Sequence, residues 1–531
     1  MLNREVNLRN TCIKKLVTLS GCLCIVLLSS GVLAGTRVQE SIPGSWRFSY
    51  EELPISTNET MGLIGAHYDL FLFKQVPSLY LGIGGYGAAT GEEGGFFTSG
   101  LTGGWRKALS KKYQLDMGAH FGGGGGSDRA FPGGGKMLRT HVSLERVFPS
   151  FKLRLGVAHT DFSNSRSAYK EDTHIFAGLR VDSDSLRDVT SDAQKSGLKL
   201  FSSKTHRLRI SPAMLYYFPD DTPITRLGAY TNPSTSSNQN IPLLGIQVDR
   251  FISDNVYTML EAYGAGGGGA DGYATFLTGL GYASKVTSNL HWEAKFLVGL
   301  GGDGRIDTGG GLIAQPMVGL RWSITPDLSI KAMAGRTYAV DGKFKATTGE
   351  LAFSWEGEKP SVEGKDARVF SPERFKTRRW IASLSHKTYL PKDYTRTTNA
   401  TNYKERLHLI GLILSSPITS YASITGSTHW AYEGDIGSYA EGMLGVRINP
   451  LLFSGSVINP VLQYDVGVAG GGDVDVDEGV IHQLKMGLRY QYSPKISFDV
   501  YFGKTKSLGR SFDSDMVNLQ LNWHQFSLFK R

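Results

Sequence analysis

Acidic residues beside glycine runs are the first candidates for chemistry in this sequence. The runs lie at 122–126, 266–269, 309–311 and 470–472, and residues 473–478 read DVDVDE. Alternating carboxylates in a flexible loop can bind Ca²⁺ through their oxygens. The alternative, which we favour, is a set of hairpin tips where Gly and Asp adopt positive φ, so no metal is predicted. The candidate loop carboxylates are Asp128, Asp271, Asp303, Asp307, Asp473, Asp475, Asp477 and Glu478.

A second set of candidates consists of charged residues on the polar face of segments that alternate with a period of two. In a wide pore they would favour the passage of anions, whereas in a narrow barrel they would form an interior ion network. We favour the network or a neutral lining. The candidate lumen-lining residues are Arg321, Lys331, Lys485, Arg489, Lys495 and Asp499.

Motifs for catalysis and cofactor binding are missing from the sequence. The twelve histidines form no HExxH pattern, no GxSxG elbow occurs, and no glycine run fits a phosphate loop. The three cysteines, Cys12, Cys22 and Cys24, all precede residue 25, so the rest of the chain has no thiol chemistry. The net charge of +9 is too mild to indicate a nucleic-acid partner. We therefore predict no catalytic residue, no cofactor and no enzymatic activity.

The first 34 residues have the pattern of a secretory signal peptide. Four basic residues among the first 15 precede an apolar run over 16–34 that ends in Val-Leu-Ala before Gly35. A membrane anchor is one alternative, and lipidation at Cys22 is another that we favour less. The remaining chain, 35–531, contains no further long apolar stretch, so no second membrane helix is expected.

Three internal repeats divide that remaining chain. An offset of 168 residues without a gap matches Gly299 to Gly467 and Arg321 to Arg489, and an offset of 176 lays residues 133–135 under 309–311. Repeats should be sought before any other feature, because they set the architecture. The repeat units are predicted at about 41–200, 201–370 and 371–531.

Each unit is predicted to contain eight β-strands. In residues 480–492 the even positions are mostly apolar and the odd positions polar or small, which is typical of a strand between two different surroundings. The total is about 24 strands. In the middle unit we expect them near 206–218, 243–252, 256–265, 273–286, 290–300, 311–324, 328–340 and 344–355.

The lengths of the connections alternate. Links between strands 2 and 3 and between strands 6 and 7 are short, whereas links such as 219–242 and 391–405 are long and polar. Aromatic residues gather at the short-turn ends, for example Trp322 and Tyr490. The chain therefore resembles bacterial outer-membrane β-barrel proteins as a class, although its C-terminus continues past Trp523. The resemblance implies location in the bacterial outer membrane, contact with its lipid and lipopolysaccharide, and insertion by the barrel assembly machinery.

Two architectures fit these features, and they imply different functions. We favour one antiparallel transmembrane β-barrel of about 24 strands. The alternative is three tandem eight-stranded barrels, which the polar stretches 185–205 and 356–377 between the units support. The predicted function is an outer-membrane channel or export/uptake conduit with a polar lumen and glycine-rich external loops, for an unidentified small solute or polymer. The alternative is a closed structural or surface-interaction barrel that binds a partner or glycan through long loops; a membrane-embedded enzyme is favoured least.

Overall fold

The computed structural model describes residues 40–530, apart from 74, 127–130, 132, 184, 188–197, 201–204, 221–239, 271, 305, 361–367, 371–374, 394–404, 420, 435, 450–456 and 510. The described residues are all-β. None of them forms a helix long and apolar enough to span a bilayer. The signal peptide predicted for residues 1–34 lies outside the described residues.

In the described chain, 24 long strands close into three barrels of eight antiparallel strands. Barrel 1 consists of β2 (Gly44–Pro54), β3 (Thr60–Leu70), β4 (Leu79–Thr90), β5 (Phe97–Ala108), β6 (Tyr113–Gly125), β7 (Met137–Val147), β8 (Lys152–Asp161) and β9 (Glu171–Asp182). Barrel 2 consists of β12 (Thr205–Pro219), β13 (Ile241–Phe251), β14 (Val256–Ala265), β15 (Ala274–Lys285), β16 (Leu290–Gly302), β17 (Leu312–Ser323), β18 (Leu328–Ala339) and β19 (Lys345–Pro360). Barrel 3 consists of β21 (Phe375–Asp393), β22 (Leu407–Pro417), β23 (Ala422–Glu433), β24 (Ala440–Ile448), β25 (Ile458–Gly470), β26 (Val480–Gln491), β27 (Ile496–Ser507) and β28 (Asp513–Lys530).

Four short strands lie outside the barrels. The strand β1 (Glu40–Ile42) pairs with β10 (Ser185–Arg187), and β11 (Leu198–Leu200) pairs with β20 (Arg368–Phe370). The strand β1 precedes barrel 1, whereas β10, β11 and β20 lie in the polar stretches that separate the repeats. We call the end of the barrels that carries these strands and the short links the turn end, and the opposite end the loop end.

The prediction of 24 strands in three repeats of eight is confirmed, but the preference for a single barrel was wrong. The last strand of each unit pairs with the first strand of the same unit: β9 with β2, β19 with β12, and β28 with β21. The backbone hydrogen bonds of the first and last strands are thereby formed within each unit. No unpaired strand edge is left for pairing with the next unit. The observed architecture is the alternative given above, three tandem eight-stranded barrels.

The alternation in sequence determines which side chains face outward. Along β26, Leu484, Met486 and Leu488 are exposed, whereas the intervening Lys485 and Arg489 are buried inside the barrel. The same alternation repeats along the other strands, so large apolar residues cover the outer surface of each barrel and polar residues fill its interior. Strands of 9–19 residues are long enough to cross a bilayer, which takes about 9–11 tilted residues.

Candidate functional site: the chamber between three closed barrels

The predicted lumen-lining residues are distributed between two places. Arg321 and Lys331 point into barrel 2, and Lys485, Arg489 and Asp499 point into barrel 3, where all five are buried. Lys495 lies elsewhere, because β26 ends at Gln491 and residues 492–495 form the turn to β27. The expectation that Lys495 lines a lumen is therefore corrected, because the residue lies in a turn and not on a strand.

The interior of barrel 2 is closed by a network of ion pairs. Glu293 binds Arg209 at 2.7 Å and Arg321 at 2.7 Å. Lys295 lies between two carboxylates, with Nζ 2.5 Å from oxygens of both Glu261 and Glu350. Paired charges of this kind fill the space that a solute would need, as expected for barrels of eight strands.

Barrels 1 and 3 contain equivalent networks built from different residues. In barrel 1, Asp116 accepts a hydrogen bond from Arg154 at 2.8 Å and pairs with Arg180 at 3.0 Å. In barrel 3, Arg489 binds Asp499 through two contacts of 2.8 and 2.7 Å, and Lys387 pairs with Glu441. A wide polar lumen, which the single-barrel architecture would have had, is therefore not present in the described barrels.

Apolar side chains from the loops fill each barrel near its loop end. In barrel 1, Phe131 stacks on Phe162 at a centroid distance of 4.0 Å, and Phe96 packs against both. In barrel 3, Val474 and Val476 are fully buried in the same way. These two valines alternate with the acidic residues of the DVDVDE segment. This alternation indicates that one side of the loop is buried, and it is a sequence signal that we missed.

The described loop carboxylates occupy tight turns. Asp303, Asp473 and Asp477 adopt positive φ values of 71°, 56° and 57°. Asp307 and Asp475 accept hydrogen bonds from the amides of Gly309 and Asp477, respectively. Glu478 is exposed, and Asp128 and Asp271 lie outside the described residues. No three His, Cys, Asp or Glu residues among those described form a metal-binding group.

The pKa of Asp477 is lowered from its ordinary value. Partial burial alone would raise it, but hydrogen bonds from Ser507 Oγ and the Ser511 amide to the carboxylate outweigh that effect. These hydrogen bonds favour the ionised carboxylate of Asp477, which lies in the loop that connects β25 to β26. Asp477 acts in the described structure as a hydrogen-bond acceptor that fixes this loop.

The glycine-rich loops join the three barrels to one another. The Gly94 amide of barrel 1 donates to the Gly309 carbonyl of barrel 2 at 2.8 Å. The Gly437 amide of barrel 3 donates in the same way to the Gly133 carbonyl of barrel 1. Between barrels 2 and 3, a Cβ on Gly272 would lie 2.9 Å from the Gly471 nitrogen. We call these three contacts the joints.

The joints follow one rule around a closed ring. In each, the loop after the third strand of one barrel contacts the loop after the fifth strand of the next, in the order 1 to 2, 2 to 3 and 3 to 1. Gly95, Gly272 and Ser438 occupy the same position in the first of these loops, with φ values of 98°, 89° and 79°. A head-to-tail contact that closes after three units is the geometry of a three-membered ring.

The ring encloses a chamber of about 4560 Å³ between the outer surfaces of the barrels. Its walls are the outward-facing apolar residues of all three units, including Ile83, Leu260 and Leu444. The lining extends from residues near the joints, such as Gly470, to turn-end residues such as Pro417. The volume is several times that of a small-molecule pocket, which is about 300–1,000 Å³.

Charged residues contribute little to the chamber wall. Glu261 and Glu441 belong to the wall strands, but their side chains form ion pairs with Lys295 and Lys387 inside their own barrels. The remaining charged wall residues, Arg250 and Lys495, lie at or beside the turns. The middle of the chamber is therefore without charge, and its wall there is mostly apolar.

One aromatic side chain from each barrel meets at the loop end of the chamber. Phe97 of barrel 1 contacts Phe276 of barrel 2 with centroids 5.1 Å apart, and Phe276 contacts Trp430 of barrel 3 at 5.9 Å. All three rings face outward from their own barrels, and Phe97 and Trp430 are buried by the neighbouring barrels. We call this group the aromatic cluster. Sequence reasoning missed it because the three positions are not equivalent in the repeats.

Comparisons with known proteins gave solved β-barrel structures of low similarity. No family model matches the chain, and no curated protein matches it. A solved outer-membrane protein, opdK from Pseudomonas aeruginosa, is 8% identical with a TM-score of 0.21, over 92% of this chain and 98% of that one. The alcaligin outer-membrane receptor FauA from Bordetella pertussis is 10% identical with a TM-score of 0.26, over 92% and 76%. A designed transmembrane β-barrel is 11% identical with a TM-score of 0.20, over 29% and 98%.

Proposed function

We propose that this protein is an outer-membrane protein of the channel or uptake class whose passage is the chamber between the barrels and whose cargo is lipid-like. The observation that carries the proposal is the apolar chamber of about 4560 Å³ between three barrels whose own interiors are filled by ion networks. Because the networks occupy the barrel interiors, the space between the barrels is the larger compartment available to a cargo.

The surroundings of the protein follow from its outer surface. Large apolar side chains such as Leu155, Val318 and Phe502 are more than half exposed on the outside of the barrels. An apolar surface of this extent is stable in contact with lipid and costly in water. We therefore infer a location in the bacterial outer membrane, in contact with its lipid and lipopolysaccharide and inserted by the barrel assembly machinery. The proposed role is not enzymatic.

The test narrows the chamber without disturbing the barrels. A Cβ on Gly442, an outward-facing wall residue, would have no atom within 4 Å, so Gly442→Trp places a large ring in the chamber. Gly349 also faces outward and has its nearest atom at 3.7 Å, but it lies outside the chamber wall, so Gly349→Trp is the matched control.

Two quantities are measured. The first is the amount of phospholipid that purifies with the protein, and the second is the rate at which cells that express the protein take up a hydrophobic dye. We expect Gly442→Trp to lower both severalfold and Gly349→Trp to leave both unchanged. Equal values for the two variants would contradict the chamber as the passage. Steady ion-conducting steps in planar bilayers would instead favour a polar channel, whereas a folded protein without bound lipid or conductance would favour the closed structural barrel.

A further inference from the structure

We propose that the loop end of the chamber holds the ester region of a phospholipid, and that the indole N–H of Trp430 donates a hydrogen bond to it. This inference deepens the proposed function and rests on it. It names the class of cargo and the position at which its polar part is recognised.

The first observation is the state of Trp430 itself. Trp430 lies on the outward face of β23, since its neighbour His429 points inward and binds Ser385 at 2.9 Å. Its side chain is 8% exposed, and its Nε1 has no hydrogen-bond partner among the described residues. A buried indole N–H normally has an acceptor, because leaving it unpaired loses the hydrogen bond that it makes with water in the unfolded chain. Trp430 is a wall residue of the chamber, and its Nε1 is shielded in the described structure, so the N–H meets an acceptor carried by a cargo after a rotation of the indole ring.

The second observation is a set of hydroxyl groups next to the aromatic cluster. Ser99 of barrel 1, Thr278 of barrel 2 and Thr428 of barrel 3 all belong to the chamber wall. Each lies two residues from its own barrel's ring in the cluster, on the outward face and toward the turn end. The hydroxyl of Thr278 already donates to the Met259 carbonyl at 3.0 Å, so the donors that face a cargo are Ser99 and Thr428, and we call these two hydroxyls the hydroxyl collar.

The collar and the indole together define the chemistry of the ligand. Below them the wall is apolar, as at Ile83 and Leu444, and suits acyl chains. At their depth the wall offers hydrogen-bond donors, which ester carbonyl and phosphate oxygens accept. An amphiphile with two ester-linked chains fits both parts, with its chains directed toward the turn end. Trp residues have the same preference for the polar boundary of a bilayer.

Repeat equivalence indicates that the site is specific to barrel 3. The position of Trp430 corresponds to Gly87 in barrel 1 and Gly264 in barrel 2, where side chains are excluded by close neighbours. A Cβ on Gly87 would lie 2.6 Å from Leu300, and one on Gly264 would lie 2.8 Å from Val468. The ring therefore has one indole at this level, and we infer one ordered ester region per chain.

The experiment uses the whole protein in vesicles of phosphatidylethanolamine and phosphatidylglycerol. These contain a phosphatidylcholine brominated either near the ester groups or near the methyl ends of its acyl chains. The fluorescence of Trp430 is obtained by subtracting the spectrum of Trp430→Phe from that of the wild type. The matched control is Trp322→Phe, because Trp322 is an exposed outward residue that lies outside the chamber wall.

We expect bromines near the esters to quench the Trp430 signal more strongly than bromines near the methyl ends. We also expect Trp430→Phe, which keeps an aromatic ring but removes the N–H, to release bound phospholipid about three- to tenfold faster than the wild type, as for one lost hydrogen bond. Trp322→Phe should release it at the wild-type rate.

The possible failures are distinguishable. If phospholipid purifies with the protein but Trp430→Phe releases it at the wild-type rate, or methyl-end bromines quench more strongly, the anchoring role of Trp430 is overturned and the lipid chamber remains. If no phospholipid is bound to the folded wild-type protein, the proposed function itself fails. Binding of lipopolysaccharide in place of phospholipid would overturn the assignment of the ligand.

Discussion

The Gly94 amide in barrel 1 donates a hydrogen bond of 2.8 Å to the Gly309 carbonyl in barrel 2. Both residues belong to glycine-rich loops that sequence reasoning had treated as exposed hairpin tips. The backbones approach so closely that a Cβ on Gly94 would lie 2.6 Å from the same carbonyl oxygen. Glycine is therefore needed here for contact between barrels, and the glycine runs are the sequence signature of the ring.

Replacing Gly95 should weaken the joint between barrels 1 and 2. Gly95 has a φ of 98°, and a Cβ there would lie 2.1 Å from the Asp303 nitrogen. We expect Gly95→Val to lower the free energy of unfolding by about 2 kcal/mol or more, through the φ strain and the clash. The measurement is thermal unfolding in detergent. Gly349→Val, at a strand position with space for a side chain, should change the stability by less than about 0.5 kcal/mol; equal losses for the two variants would argue against a tight joint.

Removal of one charge from the interior of barrel 2 should destabilise that barrel. Lys295 lies 2.5 Å from both Glu261 and Glu350, and all three are buried. Lys295→Met leaves two carboxylates without their shared cation, so we expect a loss of about 3–5 kcal/mol in unfolding measurements. The double variant Lys295→Met/Glu261→Gln should recover part of the loss. A single variant as stable as the wild type would show that this interior is hydrated rather than packed.

Acid should loosen the loop held by Asp477. Its folded pKa lies below its unfolded value, so the carboxylate stabilises the loop at neutral pH, and this stabilisation disappears as the pH falls through the folded pKa. We expect the hydrogen-exchange protection of the Ser511 amide, corrected for intrinsic rates, to decrease below about pH 4, the ordinary range of an Asp carboxyl. Asp477→Asn should show lower protection at neutral pH and little further dependence on pH. Identical pH profiles for the two proteins would exclude Asp477 as the cause.

The strands were predictable because the two-residue alternation that marks them involves only residues close together in sequence. The run expected near 256–265 is the strand Val256–Ala265, and the run near 328–340 is Leu328–Ala339. Each outward apolar residue alternates with an inward polar one, and this alternation is visible within a window of a few residues. The three repeats were visible for a different reason, since glycine and arginine positions recur at offsets of 168 and 176 residues.

The closure of the strands and the chamber were not predictable from these patterns. Whether β9 pairs with β2 or continues to β12 depends on contacts between residues far apart in sequence, and the period is the same in both cases. The aromatic cluster depends on Phe97, Phe276 and Trp430, which occupy different positions in their repeats. Only the arrangement of the barrels around one axis brings these residues together.

The most direct test of the three-barrel ring is a disulfide between barrels 2 and 3. A Cβ on Gly264 would lie 3.9 Å from the Val468 Cβ, within the range of about 3.5–4.5 Å that a disulfide needs. The natural cysteines are confined to Cys12, Cys22 and Cys24, and replacing them with Ser leaves a clean background. A protease site inserted within residues 361–367 then allows the chain to be cut between the two barrels.

We expect the Gly264→Cys/Val468→Cys variant to keep both fragments linked on a denaturing, non-reducing gel after oxidation and cleavage. The control Gly264→Cys/Val468→Ala/Val466→Cys removes the same valine side chain but moves the second thiol two residues along the outward face of β25, and its fragments should separate. Linkage of the first pair alone is the result that the ring predicts. Separation of both variants, in a protein shown to be folded, would contradict it.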